Sequence, residues 1–512
     1  MKTTPQGRKI TLVLLVVLVM LLFILSGLAY FRIDLTRDKK FSVSQVSKHA
    51  MESVTEPLRI TYYLSKDLEN FYPQTRDVKD FLRIYGESNK NISVAVEDPI
   101  EKGMEEALIQ KGVFPRQIQS AKENRQELVT VYSSIVMEYL NRMAVIPFIV
   151  SGETLEYELT SRLMQLTDSA QDGTVFVMTG NGLSVDTDYS YVKPWLSAAG
   201  VVPVSVTPEE FLVSLEDSLR SEKKPPILLL GTSALEEAAV EGLKTYVEFG
   251  GCIFVTTSSN SADVYGTWDA YPVEAGADVF LPVLADWGIE VGPELVFDIS
   301  CYRVTLVSND ENPVYEYLNY PLWISSLPQY TTTHQISKNA TDLQFFWSSP
   351  LNLTKSGDPL VYTTPNSWLE APDFSKEQPF VANPFMVAQS AAQAGKEAGQ
   401  YLLSALVSVD GGGKVMAVSS QYFVSTLMLD YTGAYTNLEY VVKGLLYLTG
   451  EEGLLELRNR TNSLSLHKVS QTELEAAFPK VMLFTAVIVP LIPLIIGVGF
   501  FLWRKYKKGT DL

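Results

Sequence analysis

Residues 174–182 read TVFVMTGNG, and the middle of this 512-residue chain turns on them. Val175 to Met178 is a continuous apolar run, as a strand buried on both faces of a parallel sheet requires. It passes straight into Gly180-Asn181-Gly182. Such a turn either cradles a phosphate or only redirects the chain. A dinucleotide fingerprint needs a third glycine at 185, where this chain has Val185, so the tight turn is the better reading. No GxxxxGK[ST] loop occurs anywhere, which excludes ATP binding of the Walker type.

The pattern continues outward. A helix near 189–199, a strand at 201–206 (VVPVSV) and a helix at 208–219 precede the buried strand ILLLG, 227–231. A helix over 235–249 is stopped by Gly250-Gly251, and CIFVTT, 252–257, follows. Strands alternating with helices predict a three-layer α/β domain over 173–450. From 258 to about 399 the texture changes to short strands, aromatics and prolines. This segment is expected to be an insertion, about 262–400, with its own small sheet. Strands at 400–409 and 414–423 and a helix at 437–448 return to the main sheet, with Gly411-Gly412-Gly413 as a turn between strands.

Upstream, residues 57–168 form a second unit. The strand LRITYYL (58–64), a helix to about 85, the strand NISVAVEDP (91–99), a helix over 101–111, two strands within 128–150 around Asn141-Arg142, and a helix over 152–166 are expected. The order β-α-β-α-β-β-α matches a thioredoxin-like module. It holds no cysteine, so thiol–disulfide chemistry is excluded and a binding or spacer role remains. DSAQDG, 168–173, links it to the α/β domain.

Both ends carry long uncharged runs. Residues 10–31 number 22, and at about 1.5 Å each they span about 33 Å, enough for a bilayer core of about 30 Å. Residues 481–503 form the second run. The first is read as an anchor within 1–31; a cleaved signal peptide is the alternative, given its basic start and Gly27-Leu28-Ala29. Lys2, Arg8 and Lys9 precede the first run, and Arg504, Lys505, Lys507 and Lys508 follow the second, within a basic tail 504–512. Both termini are therefore expected in the cytoplasm, with 32–480 outside the cell membrane. Residues 32–56 and 451–480 are connectors. In the second span, Pro490 and Pro493 interrupt helical bonding, while Gly497 and Gly499 leave room for a neighbouring helix. These four mark it as a candidate partner-contact span; tolerance of proline in membrane helices is the plain alternative.

Charge narrows the partners. There are 59 Asp+Glu against 41 Lys+Arg, a net −18. Removing the seven basic flanking residues and Asp511 leaves 34 positive and 58 negative charges, −24 for the ectodomain. A surface this acidic repels nucleic acid. Cys252 and Cys301 form no disulfide framework, and the histidines His49, His334 and His467 have no metal-ligand spacing. Cys252 stands at the wrong end of its strand for a nucleophile and reads as core. No catalytic residue, cofactor or metal is expected. Gly180, Asn181, Gly182, Ser258 and Asn260 form a candidate ligand cleft. The competing reading is a cell-surface hydrolase or amidotransferase, with Cys252 or Ser258 as nucleophile and His334 as base.

The anchor followed by FRIDLTRDKKFSVSQ, with Arg32, Asp34, Leu35, Thr36, Phe41 and Ser42, resembles the opening of GldG-like proteins, the gliding-motility-type auxiliary components of ABC transporters. Segments 235–255, 284–298 and 437–452 and the basic-capped C-terminal span resemble further stretches of that family, while Gln335 in HQIS departs from its His-Pro-Ile-Thr. The resemblance implies a glutamine-amidotransferase-like α/β domain without catalytic residues. It also implies a membrane-anchored auxiliary subunit working with a separate ABC permease and ATPase.

Overall fold

The computed structural model describes residues 42–122, 125–167, 173–266, 269–274, 276–307, 315–392, 397–461 and 497. Helix α1 (Gln45–Glu52) opens the body. Strands β1 (Leu58–Leu64) and β2 (Ile92–Glu97) flank helix α2 (Thr75–Glu87). Strands β3 (Ser133–Tyr139) and β4 (Arg142–Ile146) follow, and helix α3 (Leu155–Thr167) closes the first module. The sheet order is β2-β1-β3-β4, parallel between β1 and β2 and antiparallel elsewhere. Its apolar face packs on α2 and α3, whose Val78, Phe81, Leu82, Leu159 and Leu163 fill one core.

One expectation fails here and one element is unforeseen. The single helix over 101–111 is two short ones, Pro99–Lys102 and Glu105–Gln110. Gly103 divides them at φ +63°, a left-handed cap that favours glycine. The two strands read within 128–150 around Asn141-Arg142 are β3 and β4, but an unforeseen hairpin, Arg116–Lys122 with Arg125–Val131, precedes them and pairs with no other described strand. Its polar sequence RQIQSAK lacks the apolar alternation that marks a half-buried strand.

The α/β domain is built on strands β5 (Thr174–Thr179), β6 (Val202–Ser205), β7 (Ile227–Leu230) and β8 (Cys252–Thr256). Between them run helices α4 (Val192–Ala198), α5 (Pro208–Arg220) and α6 (Glu237–Glu248). Helix α7 (Phe280–Trp287) precedes β9 (Ile289–Val291), β10 (Leu351–Leu353), β11 (Gly357–Tyr362), β12 (Leu402–Ser408) and β13 (Lys414–Val418). Helices α8 (Thr436–Leu448) and α9 (Glu452–Thr461) end the described fold. The sheet runs β9-β10-β12-β13-β8-β7-β5-β6, with β11 also on β12. Strands β6, β5, β7, β8 and β13 are parallel; β12 reverses, and the remainder alternate.

The apolar runs follow from burial on both faces. Leu228 and Leu230 enter the core beneath α4 and α8, whereas Ile227 and Leu229 enter the opposite core beneath α5 and α6. A strand whose alternate residues all meet a helix layer has no solvent face to mark with polar residues.

The insertion departs from its expected form. It does carry a three-stranded sheet, Cys301–Val307, Tyr315–Ser325 and Gln344–Phe346, but β9, β10 and β11 extend the main sheet instead of standing apart. The strand expected over 414–423 ends at Val418. Beyond it Ser420 exchanges hydrogen bonds with Phe346 in both directions, at 3.2 and 2.8 Å, and this pulls the chain out of the sheet.

Among the described residues no helix is long and apolar enough to cross a membrane. The two runs read as spans, 10–31 and 481–503, lie outside the described residues, apart from Gly497, which is helical and exposed. Pro490, Pro493 and Gly499 lie outside them as well.

Candidate functional site

Counting the parallel strands in chain order, the sheet reads 2-1-3-4-5 from β6 to β13. The order reverses between β5 and β7, and open α/β sheets bind ligands outside the carboxyl ends of the strands at such a point. Gly180-Asn181-Gly182 sits there after β5, facing Gly231-Thr232-Ser233 after β7.

The two loops are in backbone contact. A Cβ on Gly180 would stand 2.5 Å from the Gly231 carbonyl oxygen, and one on Gly231 would stand 2.5 Å from the Asn181 side chain. Gly231 also has φ +75°, and the Ala234 amide donates to the Gly180 carbonyl at 2.7 Å. Glycine is needed here because one loop lies against the other. Asn181 Nδ2 donates to Tyr189 Oη at 2.8 Å, and that hydroxyl donates onward to the Gln421 carbonyl at 3.0 Å. Tyr189 is fully buried, and burial pushes its phenol above the usual range. The switch point is thus closed by the chain's own groups.

The next loop is filled from the insertion. Ser258 Oγ donates to the Trp347 carbonyl at 3.1 Å and lies 3.1 Å from Ser349 Oγ. Asn260 Nδ2 reaches Ser349 Oγ at 2.9 Å, and Gln421 Nε2 donates to the carbonyls of Ser258 and Asn260 at 3.3 and 3.1 Å. Trp347 holds φ +48°, rare for a large residue, so the backbone entering Ser348-Ser349 is bent to meet this loop. Thr232 Oγ1 donates to Asp278 Oδ2 at 2.7 Å, which leaves Thr257 Oγ1, also at 2.7 Å, as donor to Thr232. Burial raises the Asp278 carboxyl, and the Phe280 amide holds its other oxygen at 3.0 Å.

The structure therefore brings Gly180, Asn181, Ser258 and Asn260 into one connected polar lattice through Gln421, and leaves Gly182 at its margin with nothing within 4 Å of a Cβ. Gln421, Ser349, Tyr189 and Asp278 are its unforeseen members. Tyr189 is 8 residues from Asn181, but Asp278 is 46 from Thr232, Ser349 is 91 from Ser258 and Gln421 is 232 from Tyr189, and none sits in a motif.

The residues of the competing enzymatic reading are not assembled. Cys252 begins β8 in register with Lys414, whereas Ser258 follows the far end of the same strand. His334 packs edge-on against Tyr447 at 5.0 Å, and Lys414 Nζ lies 4.6 Å over that same ring. His334 therefore belongs to the amino end of β13. The five residues of that strand, about 13 Å from first to last Cα, separate this end from the loop holding Ser258. Its Nδ1 accepts from the Ile336 amide at 3.3 Å, and burial lowers its basicity. Burial also raises the Cys252 thiol and pushes Cys301 up to about 11, the reverse of nucleophile activation. Among the described residues no group of His, Cys, Asp and Glu is placed to hold a metal.

A family described as an ABC-type uncharacterized transport system matches residues 172–443, more than half of the chain. The chain belongs to this family. Membership gives it a transport-associated auxiliary role in association with transporter components. A domain of unknown function, DUF7088, matches residues 37–138. An uncharacterized protein of Borreliella burgdorferi is 22% identical, over 98% of this chain and 99% of its own length. Among solved structures, the mmIFT52 N-terminal domain is similar at 15% identity and a TM-score of 0.33, covering 53% of this chain and 96% of that one. A ThuA-like protein from Bacteroides uniformis is similar at 10% identity and a TM-score of 0.28, covering 55% and 94%.

Proposed function

We propose that this chain is a GldG-like, non-catalytic auxiliary subunit, anchored in the cell membrane by two spans, whose acidic extracytoplasmic body couples to a separate ABC permease and ATPase. One observation carries the non-catalytic part. The crevice where an α/β sheet would take a substrate is occupied by the chain's own Asn181–Tyr189–Gln421 and Ser258–Ser349–Asn260 lattice. Family membership supports the transport partners, and the uncharged runs at 10–31 and 481–503 with their basic flanks support the anchors.

In this reading the α/β domain, 173–450, is glutamine-amidotransferase-like and the module 57–168 is thioredoxin-like. The mixed sheet of the first module and the 2-1-3-4-5 order of the second are what support those names. Both serve as binding surfaces instead of catalytic sites.

Gentle detergent extraction and affinity purification from a host holding the complete operon should recover a multi-span permease and an ATPase with this chain. Recovery of the chain alone sinks the proposal. Changing Cys252, Ser258 and His334 together to alanine should leave complex formation and transport intact. Loss of transport from a folded, inserted triple variant would instead favour the hydrolase reading.

A further inference from the structure

The start and the end of the described body meet on one helix. Ser44, immediately before α1, donates its amide to Glu156 Oε1 at 2.6 Å, and Ser47 Oγ donates to the same oxygen at 2.8 Å. Ser47 Oγ also lies 2.8 Å from Thr160 Oγ1, so α1 is pinned along one face of α3. From the other end, the Arg458 guanidinium of α9 lies 4.7 Å over the ring of Tyr157 and is held in a two-pronged pair by Glu439, at 2.5 Å for both bonds. Glu156 and Tyr157 are consecutive residues. Asn459 extends the hold, donating to the Gln335 carbonyl at 2.7 Å and accepting from Asn339 Nδ2 at 3.0 Å.

The two terminal helices also touch each other. A Cβ on Gly453 would stand 2.9 Å from Val46 Cγ1 and 3.7 Å from Val46 Cβ. A stiff β-branched side chain cannot swing out of such a contact, so the approach of α1 to α9 depends on glycine at 453. Helices α1 and α3 contribute to both cores, and α9 to the α/β core. Val46, Tyr157, Leu454, Leu455 and Leu457 belong to the α/β core, whereas Val43, Met51, Leu159 and Leu163 belong to the core of the first module.

We propose that α1, α3 and α9 form a clasp that fastens the chain's two connectors together, and that displacement of either connector reaches both modules through α3. The physical reason is that α3 is common to both cores and receives both connectors at adjacent residues. A load on α1 or α9 therefore meets α3 before it meets either sheet. Use of the clasp as a coupler to a membrane partner rests on the anchored-subunit reading; the clasp itself does not.

The full-length chain tests this in two arms. The Val46→Cys/Gly453→Cys double variant places its sulfur-bearing carbons at about the 3.7 Å separation given by the present geometry, within the range a disulfide uses. Native Cys252 and Cys301 have raised thiols and will react slowly. Mild oxidation should convert nearly all of the chain to an internally cross-linked form, seen as a mobility shift reversed by reductant. Failure to cross-link in folded chain overturns the adjacency. In the second arm, Glu156→Ala removes the acceptor that the Ser44 amide and the Ser47 hydroxyl of the α1 end share. Amide hydrogen exchange should then quicken about tenfold in α1 and by a similar factor in α9, although no bond of α9 was altered. Ser47→Ala replaces it if the Glu156 variant does not fold. Loosening of α1 alone, or of neither helix, removes the coupling. Absence of a co-purifying permease would change none of these outcomes, so failure of the functional reading is separable from failure of the clasp.

Discussion

Lys443 shows how far a single residue here departs from solution behaviour. It lies in α8 with 1% of its surface exposed, and Nζ donates to the Lys338 carbonyl at 3.0 Å. Glu439, one turn earlier, is committed to Arg458. Burial therefore dominates and lowers the ammonium to about 8 from 10.5, with Glu439 opposing the shift and Arg458 and Lys338 adding to it. The folded chain favours neutral lysine, so the cost is present below pH 8 and fades as pH rises towards 10.5. Its ceiling is on the order of 3 kcal/mol. Stability measured by urea unfolding should rise between pH 8 and 10, before buried tyrosines such as Tyr189 begin to titrate in the unfolded chain near 10.0 and oppose it. Lys443→Met should flatten that rise. An unchanged slope in the variant would assign the rise to other groups. No pattern in TNLEYVVKGLLYL marks Lys443 as buried beyond its place among apolar neighbours. By contrast, the roles of Gly180 and Gly182 as turn residues were legible, because the apolar strand before them leaves only a turn to be made.

At the scale of elements, the edge strand β6 carries its own protection. Val202 and Val206 donate inward to the carbonyls of Gly173 and Val177, so the alternate residues Pro203 and Ser205 present their nitrogens to the open side. Among the described residues no strand pairs with that side, and Val202 is 51% exposed. Proline lacks the N–H that a docking strand would need, and edge strands are commonly blunted in this way. Pro203→Val restores a donor on an already apolar strand. It should leave the unfolding midpoint within about 0.5 kcal/mol of the parent while raising self-association in sedimentation velocity at increasing concentration. A variant that stays as monodisperse as the parent would show that something else guards the edge. The same strand explains what sequence could yield. VVPVSV announces an extended segment, and ILLLG and CIFVTT announce strands buried on both faces, because period and propensity are local. The hairpin 116–131, the edge position of β6 and the joining of β9 to β11 onto the main sheet depend on partners far along the chain. Ser258 was placed rightly at a strand end, but its partner Ser349 is 91 residues away and carries no signal of the pairing.

For the whole molecule, the consequence of α3 serving two cores is cooperative unfolding. A boundary at 168–173 would ordinarily allow the first module to melt alone. Here Tyr157, 2% exposed, crosses that boundary and donates to the Ala199 carbonyl at 2.6 Å, while its ring supports Arg458 from α9. Arg162, also buried, reaches the Ala198 carbonyl at 3.3 Å. Separating the modules would expose an aromatic face and leave a guanidinium pair without its cover. Tyr157→Phe keeps the ring and removes only the hydroxyl, stranding a buried carbonyl at a cost of roughly 1–3 kcal/mol. Six of the seven tryptophans lie between residues 195 and 368, in the α/β domain, and none lies in the first module. Trp503 stands in the C-terminal apolar run, so fluorescence of a Trp503→Phe background follows the α/β domain, and hydrogen exchange in β1 and β3 follows the first module. If the body unfolds as one unit, Tyr157→Phe should lower the denaturant midpoint by fluorescence and the protection of β1 and β3 by the same free energy. A shift confined to one reporter would mean that α3 is merely shared packing and that the modules come apart on their own.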